Sequence, residues 1–189
     1  MFDNDDLKNA LDILNSGGVI LYPTDTVWGI GCDATNPEAV KKLYSLKERD
    51  ISKPMLVLTD NPSRIQNYVN EMPDLAWDLI ELSDKPITII YSGAKNIVPE
   101  LMSPDGSIAI RVTGELFSQT LCSRFKKPVV STSANKSGEP TPRTFSEISE
   151  EVKAMVDYVV KYRQDETAVS KPSSIIRLGI GGEVEIIRE

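Results

Sequence analysis

Histidine is absent from all 189 residues. That excludes Ser-His-Asp and Cys-His relays, HExxH zinc sites and the His-containing zinc deaminase pattern. Cysteine is nearly absent too. Cys32 and Cys122 stand ninety residues apart, a spacing that suits neither a disulfide framework nor paired metal ligands, and they read as buried small hydrophobes. No run of eighteen apolar residues exists to span a bilayer, and the acidic start MFDNDDLKNA lacks the basic region of a signal peptide. A soluble, cytoplasmic protein without a membrane partner is expected. The net charge of −7 makes the surface as a whole repel nucleic acid. Chemistry is left to Lys, Arg, carboxylates, hydroxyls, amides or a bound metal.

With 40% hydrophobic residues, the chain can bury a core of ordinary size, and 1–189 reads as one domain. Asn4 or Asp5 caps a first helix with the apolar face Leu7, Ala10, Leu11 and Leu14, ending at Gly17-Gly18. Val19–Tyr22 is a short strand. Asn36-Pro37 opens a second helix ending near Lys47, followed by a strand at Met55–Leu58, a short helix from Asn61-Pro62 and another over 73–82. Pro86–Tyr91 and Ser107–Val112 are β-rich, 115–125 suits a helix, and Val129-Val130 a buried strand. Thr144–Glu147 matches a capping box opening a helix. Strands at Val156–Tyr162, Ser174–Leu178 and Val184–Ile187 close the chain, the last two joined by a glycine turn. Interleaved helices and strands with a late hairpin predict an α/β fold on a mixed sheet.

Four stretches carry reactive side chains at strand ends or in loops. YPTDTVWG follows a strand, where open α/β sheets bind ligands; a plain proline turn over Trp28 is the alternative. LKERDISKP leaves a helix C-terminus within a cluster of five cations in thirteen residues, Lys41, Lys42, Lys47, Arg49 and Lys53. A helix dipole alone favours such cations, yet Arg49 and Lys53 lie beyond the helix, where they could neutralise a polyphosphate. Arg111 closes an otherwise apolar strand, either as an edge residue or as a ligand anchor. STSANKSG crowds Ser131, Thr132, Ser133, Asn135 and Ser137 into a loop that suits an anion, or makes an ordinary turn with Lys136 solvated. No Walker A loop occurs.

Taken together and in order, YPTDTVWGIGCDA, LKERDISKPM, SIAIRVT, STSANKSGEPTPR and KPSSIIRL resemble the YrdC-like threonylcarbamoyl-AMP synthase family over about residues 18–188. The resemblance implies a twisted, open, mixed sheet flanked by helices, with a concave, locally basic face. It implies a nucleotidyltransferase joining L-threonine, bicarbonate and ATP into threonylcarbamoyl-AMP and pyrophosphate, with magnesium accompanying the nucleotide. The product feeds tRNA N6-threonylcarbamoyladenosine at position 37, through downstream transferase proteins. By motif, Lys47 and Arg49 match the family's KxR, and Ser133 and Asn135 its SxN, as the catalytic core. Thr24, Thr26, Arg111, Ser133 and Ser173 fall on the threonine side; Arg49, Lys53, Ser107, Asn135, Arg143 and Arg188 fall on the nucleotide side. Asp25 stands where glutamate is frequent, Trp28 replaces Tyr or Phe, Thr113 replaces proline, and Leu58 stands in place of a histidine near the threonine in longer members. A double-stranded RNA-binding module and carbamoyl-adenylate chemistry are the alternatives on the same fold.

Overall fold

The computed structural model describes residues 2–169 and 171–189. Five α-helices, α1 (Asn4–Asn15), α2 (Pro37–Leu46), α3 (Asp74–Leu82), α4 (Leu116–Phe125) and α5 (Glu150–Met155), surround a mixed sheet. Its strands are β1 (Ile20–Tyr22), β2 (Gly29–Gly31), β3 (Leu56–Thr59), β4 (Ile87–Tyr91), β5 (Ile108–Val112), β6 (Val129–Ser133), β7 (Tyr158–Val159), β8 (Ser174–Leu178) and β9 (Val184–Arg188). They lie in the order β7-β1-β2-β6-β3-β5-β4-β8-β9, with β1–β7, β3–β5 and β4–β8 parallel and the other neighbours antiparallel. The expected mixed α/β sheet is what forms.

Strand side chains alternate between faces, and that period sorts the core into two layers. One face, with Leu21, Ile30, Val57, Ile89, Ile110 and Val130, packs against Ala39, Val40 and Leu43 of α2 and Ala76 of α3. The other, with Ile20, Tyr22, Leu58 and Val129, lies under Leu7, Ala10 and Leu14 of α1 and Phe117, Leu121 and Phe125 of α4. On this second face the same strands run on past the helices. Two residues from Leu58 and Val129 come Leu56 and Ser131, and β4 and β5 add Thr88, Ile90, Ala109 and Arg111. This uncovered part of the sheet is the floor of a cavity.

Several local expectations are corrected. Asp3, not Asn4 or Asp5, caps α1, its carboxylate accepting from Asp5 N at 2.9 Å. The capping box at Thr144 does not open a helix: Phe145–Glu147 is one 3-10 turn, Thr144 makes no capping bond, and Ser149 caps α5 instead. Glu147 is drawn away, accepting from Arg143 N at 2.8 Å. The strand at Val156–Tyr162 shrinks to β7, because only Tyr158 and Val159 pair with β1. Most consequential, β6 continues through Ser133. The first three residues of STSANKSG, Ser131 to Ser133, are therefore strand rather than loop, paired to β2 and β3.

Gly31 makes this pairing possible, since a Cβ built there would stand 2.0 Å from the Val130 carbonyl and 2.9 Å from the Tyr22 ring. A backbone atom cannot yield as a side-chain tip can. Gly31→Ala is expected to cost about 3 kcal/mol in a urea unfolding titration, with strain spread through β1, β2 and β6. A loss below about 0.5 kcal/mol would contradict that close approach.

Candidate active site

The cavity has a volume of about 350 Å³. Thr26, Trp28, Arg49, Arg111, Ser131, Ser133, Ser173 and Arg188 are in its wall, and among the described residues no Asp or Glu lines it. In a chain of net charge −7, three guanidiniums and several hydroxyls facing one hollow make a local reversal of sign.

Each cation arrives by a distinct piece of local structure. Helix α2 ends in a Schellman arrangement: Glu48 N donates to Ser45 O and Arg49 N to Tyr44 O, with Glu48 at φ +51° where glycine is usual. That left-handed residue turns the chain so that Arg49 reaches the wall, where its Nε and Nη2 donate to the carbonyls of Lys53 (2.8 Å) and Pro54 (3.2 Å). Lys47, at the helix cap, points the other way. It is 1% exposed, and its ammonium donates to the Ser133 carbonyl. Burial, then the Arg49 guanidinium, push its pKa down to about 7, with Glu139 opposing. Lys47 thus lies behind the wall rather than in it.

Arg111 is buried on β5, its Nε 3.1 Å from Asp25 Oδ1 but out of hydrogen-bond alignment. Burial and the Arg111 charge push Arg188 below the ordinary arginine value, and Arg188 Nε and Nη2 donate to the Ser173 carbonyl at 3.1 and 2.8 Å. Thr24 stands behind Thr26: its hydroxyl donates to Val27 O (2.7 Å) and accepts from Thr26 N (3.1 Å), with the two hydroxyls 3.0 Å apart. Asn135 donates to the carbonyls of Lys136 and Glu139, and its buried Oδ1 has no partner among the described residues. Ser137 N donates to Lys47 O at 3.0 Å and ties this loop to α2.

Thr26, Arg49, Arg111, Ser133, Ser173 and Arg188 are brought to one cavity, with Lys47, Asn135 and Thr24 directly behind residues of its wall. Three expected residues lie off it. Ser107 is buried in a turn, its hydroxyl donating to Asp105 Oδ1 at 2.6 Å. Lys53 is exposed and meets the site only through its carbonyl. Arg143 is exposed and faces a small neighbouring cleft shared with Thr24, Thr26, Trp28 and Arg163. Lys136 is not merely solvated: it bridges Glu48 at 2.9 Å and Glu151 at 2.6 Å. Ser131, from the hydroxyl-rich stretch, lines the cavity as well, and so do Thr88 and Ser103, which local pattern did not single out. The signal for Thr88 was a hydroxyl inside the apolar run PITIIY.

A family model for Sua5, YciO and YrdC proteins, described as telomere recombination, matches residues 12–189. The chain belongs to this family. It is 38% identical, over 151 residues, to a threonylcarbamoyl-AMP synthase of Photobacterium profundum, covering 78% of this chain and 82% of that one. Among solved structures, E. coli YciO superposes with a TM-score of 0.83 at 22% identity, covering 99% of this chain and 90% of that chain. P. abyssi Sua5 complexed with L-threonine gives 0.81 at 21% identity, with 91% of this chain covered. These structures establish the shared fold. The chain spans about half the length of the P. abyssi protein, 50%. Among the described residues no helix is long and apolar enough to cross a membrane.

Proposed function

We infer that the chain is an L-threonylcarbamoyladenylate synthase, and that its cavity binds ATP and the carbamate of L-threonine side by side. One observation carries this most: a carboxylate-free wall holding three guanidiniums, backed by a buried lysine. In the reaction the threonine amine attacks the carbon of bicarbonate, the C–OH bond breaks, and water leaves with the hydroxyl and an amine proton, giving the carbamate. A carbamate oxygen then attacks the α-phosphorus, the bond to the β-phosphate oxygen breaks, and pyrophosphate leaves with the electron pair. Two anions must meet, so fixed cations and oriented donors are the catalytic requirement. Arg111 suits the threonine carboxylate, where a planar fork can pair two oxygens. Thr26 and Ser173 border the same end; Arg49 and Arg188 suit the phosphates, with Ser133 between.

Among the described residues no cluster of three His, Cys, Asp or Glu side chains could hold a metal. Magnesium is read as entering with the nucleotide, as MgATP. The named relatives favour synthesis over a non-catalytic RNA-binding module. Delivery of the product to tRNA through a transferase, in the cytoplasm, completes the proposal.

A pyrophosphate-release assay with single omissions tests it. Release should require ATP, L-threonine and bicarbonate together. Turnover with carbamoyl phosphate in place of threonine and bicarbonate would instead point to carbamoyl-adenylate chemistry.

A further inference from the structure

Thr88 is the second residue of β4, 0% exposed, and its hydroxyl has one side-chain partner among the described residues: Ser173 Oγ at 2.8 Å. Both residues border the cavity. The β4–β5 register, which sets Ile90 opposite Ala109 and Ile89 opposite Ile110, brings Thr88 level with Arg111. The parallel pairing of Thr88 with Ile175 holds β8 alongside, so that Ser173, just before β8, reaches back over Thr88. Ser173 is fixed twice, by Thr88 at its hydroxyl and by Arg188 at its carbonyl.

The distance alone leaves open which hydroxyl donates. The ligand decides it. An anion held by Arg111 offers acceptors only, so Ser173 must turn its single O–H toward the ligand and accept from Thr88 with its lone pairs. A hydroxyl accepting one hydrogen bond becomes a better donor of another. Without a donor at residue 88, Ser173 Oγ would be free to rotate away.

Resting on the synthase reading, we propose that Thr88 is a positioning residue for L-threonine: its hydroxyl donates to Ser173 and fixes that serine as a donor to the amino acid's anionic end. The residue acts on threonine affinity through Ser173 and leaves nucleotide binding alone.

Calorimetric titration with L-threonine, and separately with a non-hydrolysable ATP analogue, tests this on the full chain. Thr88→Val preserves shape and removes the donor. It is expected to weaken threonine binding about tenfold, the scale of one lost hydrogen bond beside a charge, with the analogue's affinity within about twofold. Thr88→Ser restores the hydroxyl and should return threonine affinity to within about twofold of the native value. Ser173→Ala should match Thr88→Val, and the double variant should be no worse than either, because both remove one relay. Native threonine affinity in Thr88→Val overturns the proposal, as does equal weakening of the ATP analogue or failure of Thr88→Ser to rescue. Absence of threonine binding in the unsubstituted protein is a different result, and contradicts the synthase reading and this proposal together.

Discussion

Lys47→Met is expected to lower threonylcarbamoyl-AMP formation by about 10²–10³-fold, the loss typical of removing one preorganised electrostatic group, while raising the melting temperature. The two effects share a cause. The ammonium is 1% exposed and donates to the Ser133 carbonyl, which also accepts from Asn135 N at 2.9 Å. Methionine keeps the length of the side chain and removes the buried charge, and the carbonyl keeps its second donor. In the folded protein the lysine titrates near 7, against 10.5 when free. The unfolded chain therefore binds more protons between those values, and stability must rise with pH across that window. In Lys47→Met that rise should vanish. Below about pH 7 the variant should be the more stable, by roughly 2–4 °C for each kcal/mol of relieved desolvation.

The same titration predicts proton uptake. At about pH 8 burial and the Arg49 charge hold Lys47 largely neutral, and an incoming phosphate anion favours its charged form, so ATP binding should take up a proton. Titrations in buffers of different ionisation enthalpy measure the uptake, and Lys47→Met should abolish it. Unchanged turnover, or a lower melting temperature, in Lys47→Met contradicts this role for the lysine.

Arg111→Gln should be costly in both activity and stability, for separable reasons. Removing the fork proposed for the threonine carboxylate should raise the KM for threonine by at least about 30-fold, from the loss of a charge-assisted contact worth roughly 2 kcal/mol or more. The side chains of Arg111 and Asp25 are 4% and 13% exposed, so the substitution also strands a nearly buried carboxylate. Breaking one partner of a buried pair costs about 3–5 kcal/mol, which a urea titration would read directly. Asp25→Asn added to Arg111→Gln removes the stranded charge and should recover most of the stability and none of the threonine affinity. Recovery of activity in the double variant would show that Arg111 acts only on folding.

Much of this was legible in the chain. The helix starts at Asn36-Pro37 and Glu115, the strand cores and the residue types of the wall follow from local pattern. The cavity's position follows from period two once the helices are seated: residues two apart, Leu58 and Leu56, Val129 and Ser131, pass from under α1 and α4 into the open floor. What local pattern could not supply was depth. Lys47 and Arg49 are two residues apart, yet the left-handed turn at Glu48 sends one behind the wall and the other into it. Glycine is the usual mark of such a turn, and its absence hid this one. The strand pairing of Ser131 and Ser133 was hidden too, because small polar residues read as loop when the partner strands are far away in sequence. That Ser107 lies off the cavity and Thr88 borders it was hidden for a similar reason. One hydroxyl is taken by Asp105 two residues away, whereas the other finds its partner 85 residues on.

The most direct test of the account is the product itself. The purified chain, incubated with MgATP, L-threonine and carbon-labelled bicarbonate, should yield threonylcarbamoyl-AMP carrying the label in its carbamoyl carbon, detected by mass spectrometry with pyrophosphate in equal amount. Pyrophosphate released without the labelled adenylate, or no product at all from a folded chain that binds both substrates, would contradict it.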